Sequence, residues 1–114
     1  MRAAPPTGWY PKRGEVYVVL LDKPRPAIVL SVDALNDAAL DVCVVAITTS
    51  QRGQFRLRVP IRAGEFGMNR DCWAKCDQVT TLEKRLIKYP AIGSLDADTL
   101  EKVEAAVKIC LGLD

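Results

Sequence analysis

Three short stretches gather the side chains that could do chemistry. In "KPRPAIVLS", residues 23–31, Arg25 stands between Pro24 and Pro26 at the mouth of an apolar run. Pro26 steers Arg25 away from helical backbone, and Pro24 has its own φ fixed. A guanidinium on so stiff a backbone loses little entropy on gripping an anion, and its fork matches phosphate oxygens bidentately. Alone, the stretch reads more readily as a solvated turn arginine. In "AITTSQ", a strand ends in three hydroxyls, Thr48, Thr49 and Ser50. Such groups donate to a phosphate or a base edge, or equally bond their own turn. In "AKCDQVTTL", Lys75, Asp77 and Gln78 put a cation, an acid and an amide within four residues. Lys75 and Asp77 share a strand face if the stretch is extended. That pairing suits proton transfer, and equally a solvated cross-strand ion pair.

The chain has no histidine, which removes histidine triads, histidine metal sites and the usual acid–base pair. Arg70 and Asp71 in "NRDCW" form another ambiguous charged pair, and Trp73 beside them reads as core. Of the four cysteines, Cys43 and Cys110 read as small buried hydrophobes. Cys72 and Cys76 are four apart, without the second CxxC or histidines that a tetrahedral zinc site would use.

A length of 114 residues points to one domain, with residues 1–11 a loosely ordered, proline-rich lead-in. No apolar stretch approaches a membrane span, and the N-terminus lacks a secretory h-region, so the cytoplasm is the expected location. The net charge of +2 is uneven. Residues 1–90 carry 14 basic against 9 acidic side chains, and residues 91–114 carry 2 against 5. "QRGQFRLRVPIR" holds four arginines and no acid, a candidate phosphate-facing surface that includes Arg56 and Arg58.

These groups need a scaffold. "GEVYVVLLD", Pro26–Val32, "LDVCVVAIT", "FRLRVPI", "CWAKCDQVTTL" and a segment around "RLIKYPAIG" read as strands. "DALND", with Asn36, suits a loop or a single helical turn. In the tail, Leu100, Val103, Val107, Cys110 and Leu111 fall at helical spacing. Asp96 is the expected N-cap, and Gly112 the left-handed end of a helix over 96–111. The outline is mainly β with a C-terminal α-helix, a small barrel or curled antiparallel sheet.

Taken in order, "RGEVYVVLLD", "RPAIVLS", "VVAITTS", "VPI", "DCWAKCDQVTTL" and "IGSLDADTLEKVEAAVKICLGL" resemble the MazF/PemK-type toxins of bacterial toxin–antitoxin systems. The resemblance runs from about Lys12 to the C-terminus. It implies an SH3-like barrel with a C-terminal helix, assembled as a homodimer. It also implies a sequence-specific endoribonuclease on single-stranded RNA, needing no metal or cofactor and inhibited by a cognate antitoxin. DNA would be met only through the antitoxin complex. Carried over by motif, the "RP" arginine is Arg25, the strand-end threonine is Thr48, and the "DQV" acid and amide are Asp77 and Gln78. Thr49, Ser50, Lys75, Arg56, Arg58 and Asn36 join Gln78 as RNA-contacting candidates. Two departures stand out. Lys75 occupies a position where some relatives carry an arginine, and "LLDKPRP" closes the first loop in three or four residues.

The chemistry expected is attack of the RNA 2′-hydroxyl on its own phosphate, leaving a 2′,3′-cyclic phosphate and a 5′-hydroxyl. Arg25 and Thr48 would stabilise the developing charge, with Asp77 the candidate base. The rival readings are a non-catalytic toxin of the same fold that poisons DNA gyrase, and an inactive SH3-like binding module.

Overall fold

Runs of β-branched residues and short polar turns fold the body of this chain into a single antiparallel sheet. The computed structural model describes residues 4–50 and 57–113. Its strands are β1 (Glu15–Leu20), β2 (Pro24–Val29), β3 (Asp41–Thr48), β4 (Val59–Ile61), β5 (Cys72–Glu83) and β6 (Ile87–Ser94). A short helix, α1 (Asp33–Ala38), joins β2 to β3, and a long one, α2 (Ala97–Leu111), closes the chain. The sheet order is β4-β5-β3-β2-β1-β6, with every pairing antiparallel. The expected class, mainly β with a C-terminal helix, is what forms.

Strand alternation sends side chains to two apolar clusters. Val16, Ile28, Val45, Ile47, Val59, Ala74 and Cys76 lie on the face that α2 covers with Val103 and Ala106. Tyr17, Val19, Ala27, Val29, Val42, Val44, Leu82 and Ile87 form the second cluster. The expected helical stripe holds at Leu100, Val103, Val107 and Cys110, whereas Leu111 is exposed and Ala106 takes a buried place. Asp96 caps α2 by accepting from the Thr99 amide at 2.7 Å, and Gly112 ends it at φ 67°. Both were expected from the sequence.

The two edge strands are brought together by the loop after β4. Its tip, Phe66–Gly67, lies against Ile92–Gly93 of β6 so closely that a Cβ on either glycine would collide with the opposing backbone. The sheet is therefore curled and braced across its open side.

Two boundaries differ from the sequence reading. β2 begins at Pro24 and ends at Val29, because Leu30 and Ser31 both turn their amides to the Cys43 carbonyl as the chain enters α1. The lead-in is also less loose than expected. Trp9 packs edge-on against Tyr17 and Tyr89, and Pro11 is fully buried. Of "FRLRVPI", only its last three residues are assigned as β4, and 51–56 lie outside the described residues.

Candidate active site

The sheet register sets two of the candidate residues, Arg25 and Thr48, on one face. Ala27 of β2 pairs directly with Ala46 of β3. Continuing that register by two residues sets Arg25 level with Thr48. Both side chains extend the face of Ala27, Val29, Val42 and Val44, but beyond the apolar cluster, where the sheet meets solvent. Thr48 in turn pairs with Trp73 of β5, and Trp73 with Pro60 of β4. One row, Arg25–Thr48–Trp73–Pro60, thus crosses four strands. Directly opposed side chains in such a row start with Cβ atoms about 4.5–5.5 Å apart.

Arg25 is half-buried and reaches back to Asp22 in the three-residue turn, with Nε–Oδ1 at 3.2 Å and Nη2–Oδ2 at 3.4 Å. The hydrogen bond from Arg25 draws the Asp22 carboxyl below its usual range. Asp22 itself is 72% exposed, so an incoming phosphate competes with a weak, solvent-screened partner. Thr48 is half-buried, and its Oγ1 accepts from the Ser50 amide at 3.1 Å. The hydroxyl run therefore makes the local turn allowed by its composition, and that turn orients Thr48. Thr49 and Ser50 are exposed beside it.

Asp77 belongs to a second group. Between Val45↔Val79 and Ile47↔Ala74 the β3–β5 ladder is irregular, so Ala46 alone faces the four residues Lys75–Gln78. Within that bulge, Asp77 meets Arg58 rather than Lys75, with Arg58 Nε 3.5 Å from Asp77 Oδ1. The Arg58 side chain is only 11% exposed, and among the described residues neither of these two buried atoms has a hydrogen-bond partner. Arg58 Nη1 also donates to the Ser50 carbonyl at 3.4 Å. A chain of polar contacts thus runs Asp77–Arg58–Ser50–Thr48. Lys75 is half-buried and Gln78 exposed in the same bulge.

Several sequence expectations change. Asn36 is fully buried in α1, and its amide donates to the carbonyls of Pro11 and Ser31 while its oxygen accepts from the Ser31 hydroxyl. It anchors the lead-in to the β2–α1 junction and has no free group for RNA. Arg58 is a near-buried partner of Asp77, not a solvated phosphate tracker on a polar strand face. Arg56 lies outside the described residues. Trp73, read as core, belongs to neither apolar cluster and is part-exposed. Cys43 and Cys110 are half-buried rather than buried. Cys72 and Cys76 are buried, and burial pushes the Cys76 thiol up to about 11.

The fold and this face can be set beside known proteins. A sequence model of the PemK-like, MazF-like toxins of type II toxin–antitoxin systems matches residues 12–111. The chain belongs to that family. Among curated members, it is 31% identical to endoribonuclease EndoA of Bacillus subtilis over 90% of this chain and 95% of that protein. It is 29% identical to endoribonuclease MazF9 of Mycobacterium tuberculosis, over 90% and 97%. A solved mycobacterial endoribonuclease in complex with its cognate antitoxin superposes with a TM-score of 0.79 at 27% identity. That match covers 91% of this chain and 97% of the other. The match supports the toxin fold from β1 to the end of α2.

Proposed function

We propose that this toxin is an endoribonuclease that cuts single-stranded RNA by internal transesterification. The observation that supports the reading is the Ala27–Ala46 pairing, which, continued by two residues, sets Arg25 level with Thr48 at the solvent end of β2 and β3. A phosphate bridging the two meets a permanent cation and a preset hydroxyl. As the 2′-hydroxyl attacks, charge accumulates on the non-bridging oxygens, and each fixed donor is worth about 3–4 kcal/mol there. The nucleophile is already part of the substrate, so its activation needs neither a histidine nor a bound metal ion. We assign the 2′-hydroxyl proton to Asp77, directly or through one water, with Arg58 holding its carboxylate. The P–O5′ bond breaks as the 2′-oxygen bonds to phosphorus, and the departing 5′-oxygen takes its proton from solvent water; Arg25 remains protonated throughout and acts by charge. Single strands are preferred because in-line attack requires a splayed backbone.

Thr49, Ser50, Lys75 and Gln78 lie where the RNA would pass, and Gln78 and Thr49 are free to meet base edges. The chain acts as one such domain in the cytoplasm; among the described residues no helix is long and apolar enough to cross a membrane. Val32, Leu35 and Leu40 around α1, and Ile109, Leu111 and Leu113 at the end of α2, are exposed apolar side chains. They are surfaces available for a homodimer and for a cognate antitoxin, through which alone DNA would be met.

The test is incubation of purified protein with a long mixed-sequence RNA in excess EDTA. Discrete fragments with 2′,3′-cyclic phosphate and 5′-hydroxyl ends are expected. Intact RNA, or fragments with 3′-hydroxyl ends, overturns the proposal, and stalled DNA gyrase under the same protein would replace it.

A further inference from the structure

We infer that Trp73 is the stacking platform for a nucleobase flanking the scissile phosphate, at the floor of a groove between β4, β5 and the loop that joins them. The inference rests on the nuclease reading and names how that site holds its substrate. Three observations carry it.

The first is placement. Trp73 is the direct partner of Thr48 on one side and of Pro60 on the other. It therefore stands one strand from Thr48 and two from Arg25, about 10 Å from the arginine at a strand spacing near 4.8 Å. A single strand whose phosphate lies between Arg25 and Thr48 must carry its neighbouring base across this position, or turn away from the sheet.

The second is exposure. Cys72 and Ala74, on either side of Trp73, are fully buried in the cluster beneath α2. Trp73 points to the opposite face and joins neither cluster. Most aromatics of this size are drawn into a core, and leaving one part-exposed forgoes much of its burial energy. In contrast, Trp9, the other tryptophan, packs against Tyr17 and Tyr89 in the second cluster.

The third is the groove itself. Trp73, Pro60, Arg62 and Asp71 line an open space of about 490 Å³, within the range that holds small planar groups. Arg62 is exposed and supplies a cation for the next phosphate. Asp71 is fixed at the rim because its carboxylate accepts from the Ala63 amide at 2.9 Å. Aromatic stacking tolerates any base, since every base offers a π-face, so Trp73 contributes grip more than sequence choice.

The experiment uses full-length protein in three forms, wild type, Trp73→Ala and Trp73→Phe, each checked by thermal melting and gel filtration. Trp73→Ala should raise KM for single-stranded RNA about ten- to a hundred-fold with kcat within about threefold, and Trp73→Phe should restore most of the loss. In a Trp9→Phe background, a fully 2′-O-methylated oligonucleotide, which lacks the nucleophile, should quench the remaining tryptophan fluorescence. Unchanged KM in Trp73→Ala, or no quenching by an oligonucleotide that binds, overturns the inference while the nuclease reading stands. A KM loss that Phe does not rescue, with a changed elution volume, overturns it in favour of a contact between two copies of the chain. Wild-type protein that neither cleaves nor binds RNA brings down the nuclease reading, and this inference with it.

Discussion

The two ends of β2 and β3 share a backbone and differ in everything else. At one end, Ala27, Ile28 and Val29 face Val44, Val45 and Ala46 with almost no exposed surface. Two residues beyond the last pair of that ladder, Arg25 and Thr48 are partly exposed. The buried end is closed by shape, and each residue there matters for volume. The open end is set by that rigidity and is free to carry charge. A rigid, apolar half-strand is what lets a long arginine side chain and a short threonine hydroxyl keep one spacing without bonding each other.

Substitutions at the two ends should therefore separate cleanly. Arg25→Ala and Thr48→Ala should each lower the cleavage rate about 10²–10³-fold, with unfolding midpoints within a few degrees of wild type. Activity near the wild-type level in either variant would remove that residue from the site. Ile28→Ala, only three positions from Arg25, should do the reverse, lowering stability by about 2–5 kcal/mol while the folded fraction cleaves at the normal rate. A large rate loss in folded Ile28→Ala would mean that the buried end reaches into the chemistry.

Alkaline pH probes the buried half. The folded protein keeps the Cys76 proton up to about 11 because burial disfavours the thiolate, whereas an unfolded thiol releases it near 8.5. The folded state thus binds more protons in between, and the stability this gives is complete below about pH 8.5 and lost as pH rises towards 11. We expect a loss of about 3 kcal/mol across that window in urea titrations. Cys76→Ala should be less stable at pH 7 yet flatter above pH 9; an equally steep decline would place the proton elsewhere. The smallest effect belongs to Asp22, which pairs with Arg25 in the resting protein. Asp22→Asn should tighten RNA binding about two- to fivefold, the scale of an exposed ion pair. Weaker binding in a filter assay would show that Asp22 positions Arg25 instead of competing for it.

How much of this was legible in sequence follows from range. Arg25 and Thr48 are legible because prolines and a hydroxyl run mark strand ends locally, and the helix of residues 97–111 announces both of its caps. The role of Asn36 is not legible, because nothing local distinguishes an amide in a solvated turn from one bonded to Pro11, 25 positions earlier. The sequence pairs Asp77 with Lys75, two positions away, whereas its partner Arg58 arrives from the turn just before β4. Trp73 faces outward only because the β3–β5 ladder skips register at the bulge before it resumes at Ala74. Register between distant strands is a property of the closed sheet, and no window of sequence contains it.

That closure has a consequence in time. Arg25, Thr48 and Trp73 come from three strands and Arg58 from the turn before β4, and the sheet holding them is braced when Phe66–Gly67 meets Ile92–Gly93. A chain still emerging from the ribosome cannot make that last contact until residues beyond β5 have been synthesised. The nascent chain therefore holds its candidate site without that brace until β6 has been made.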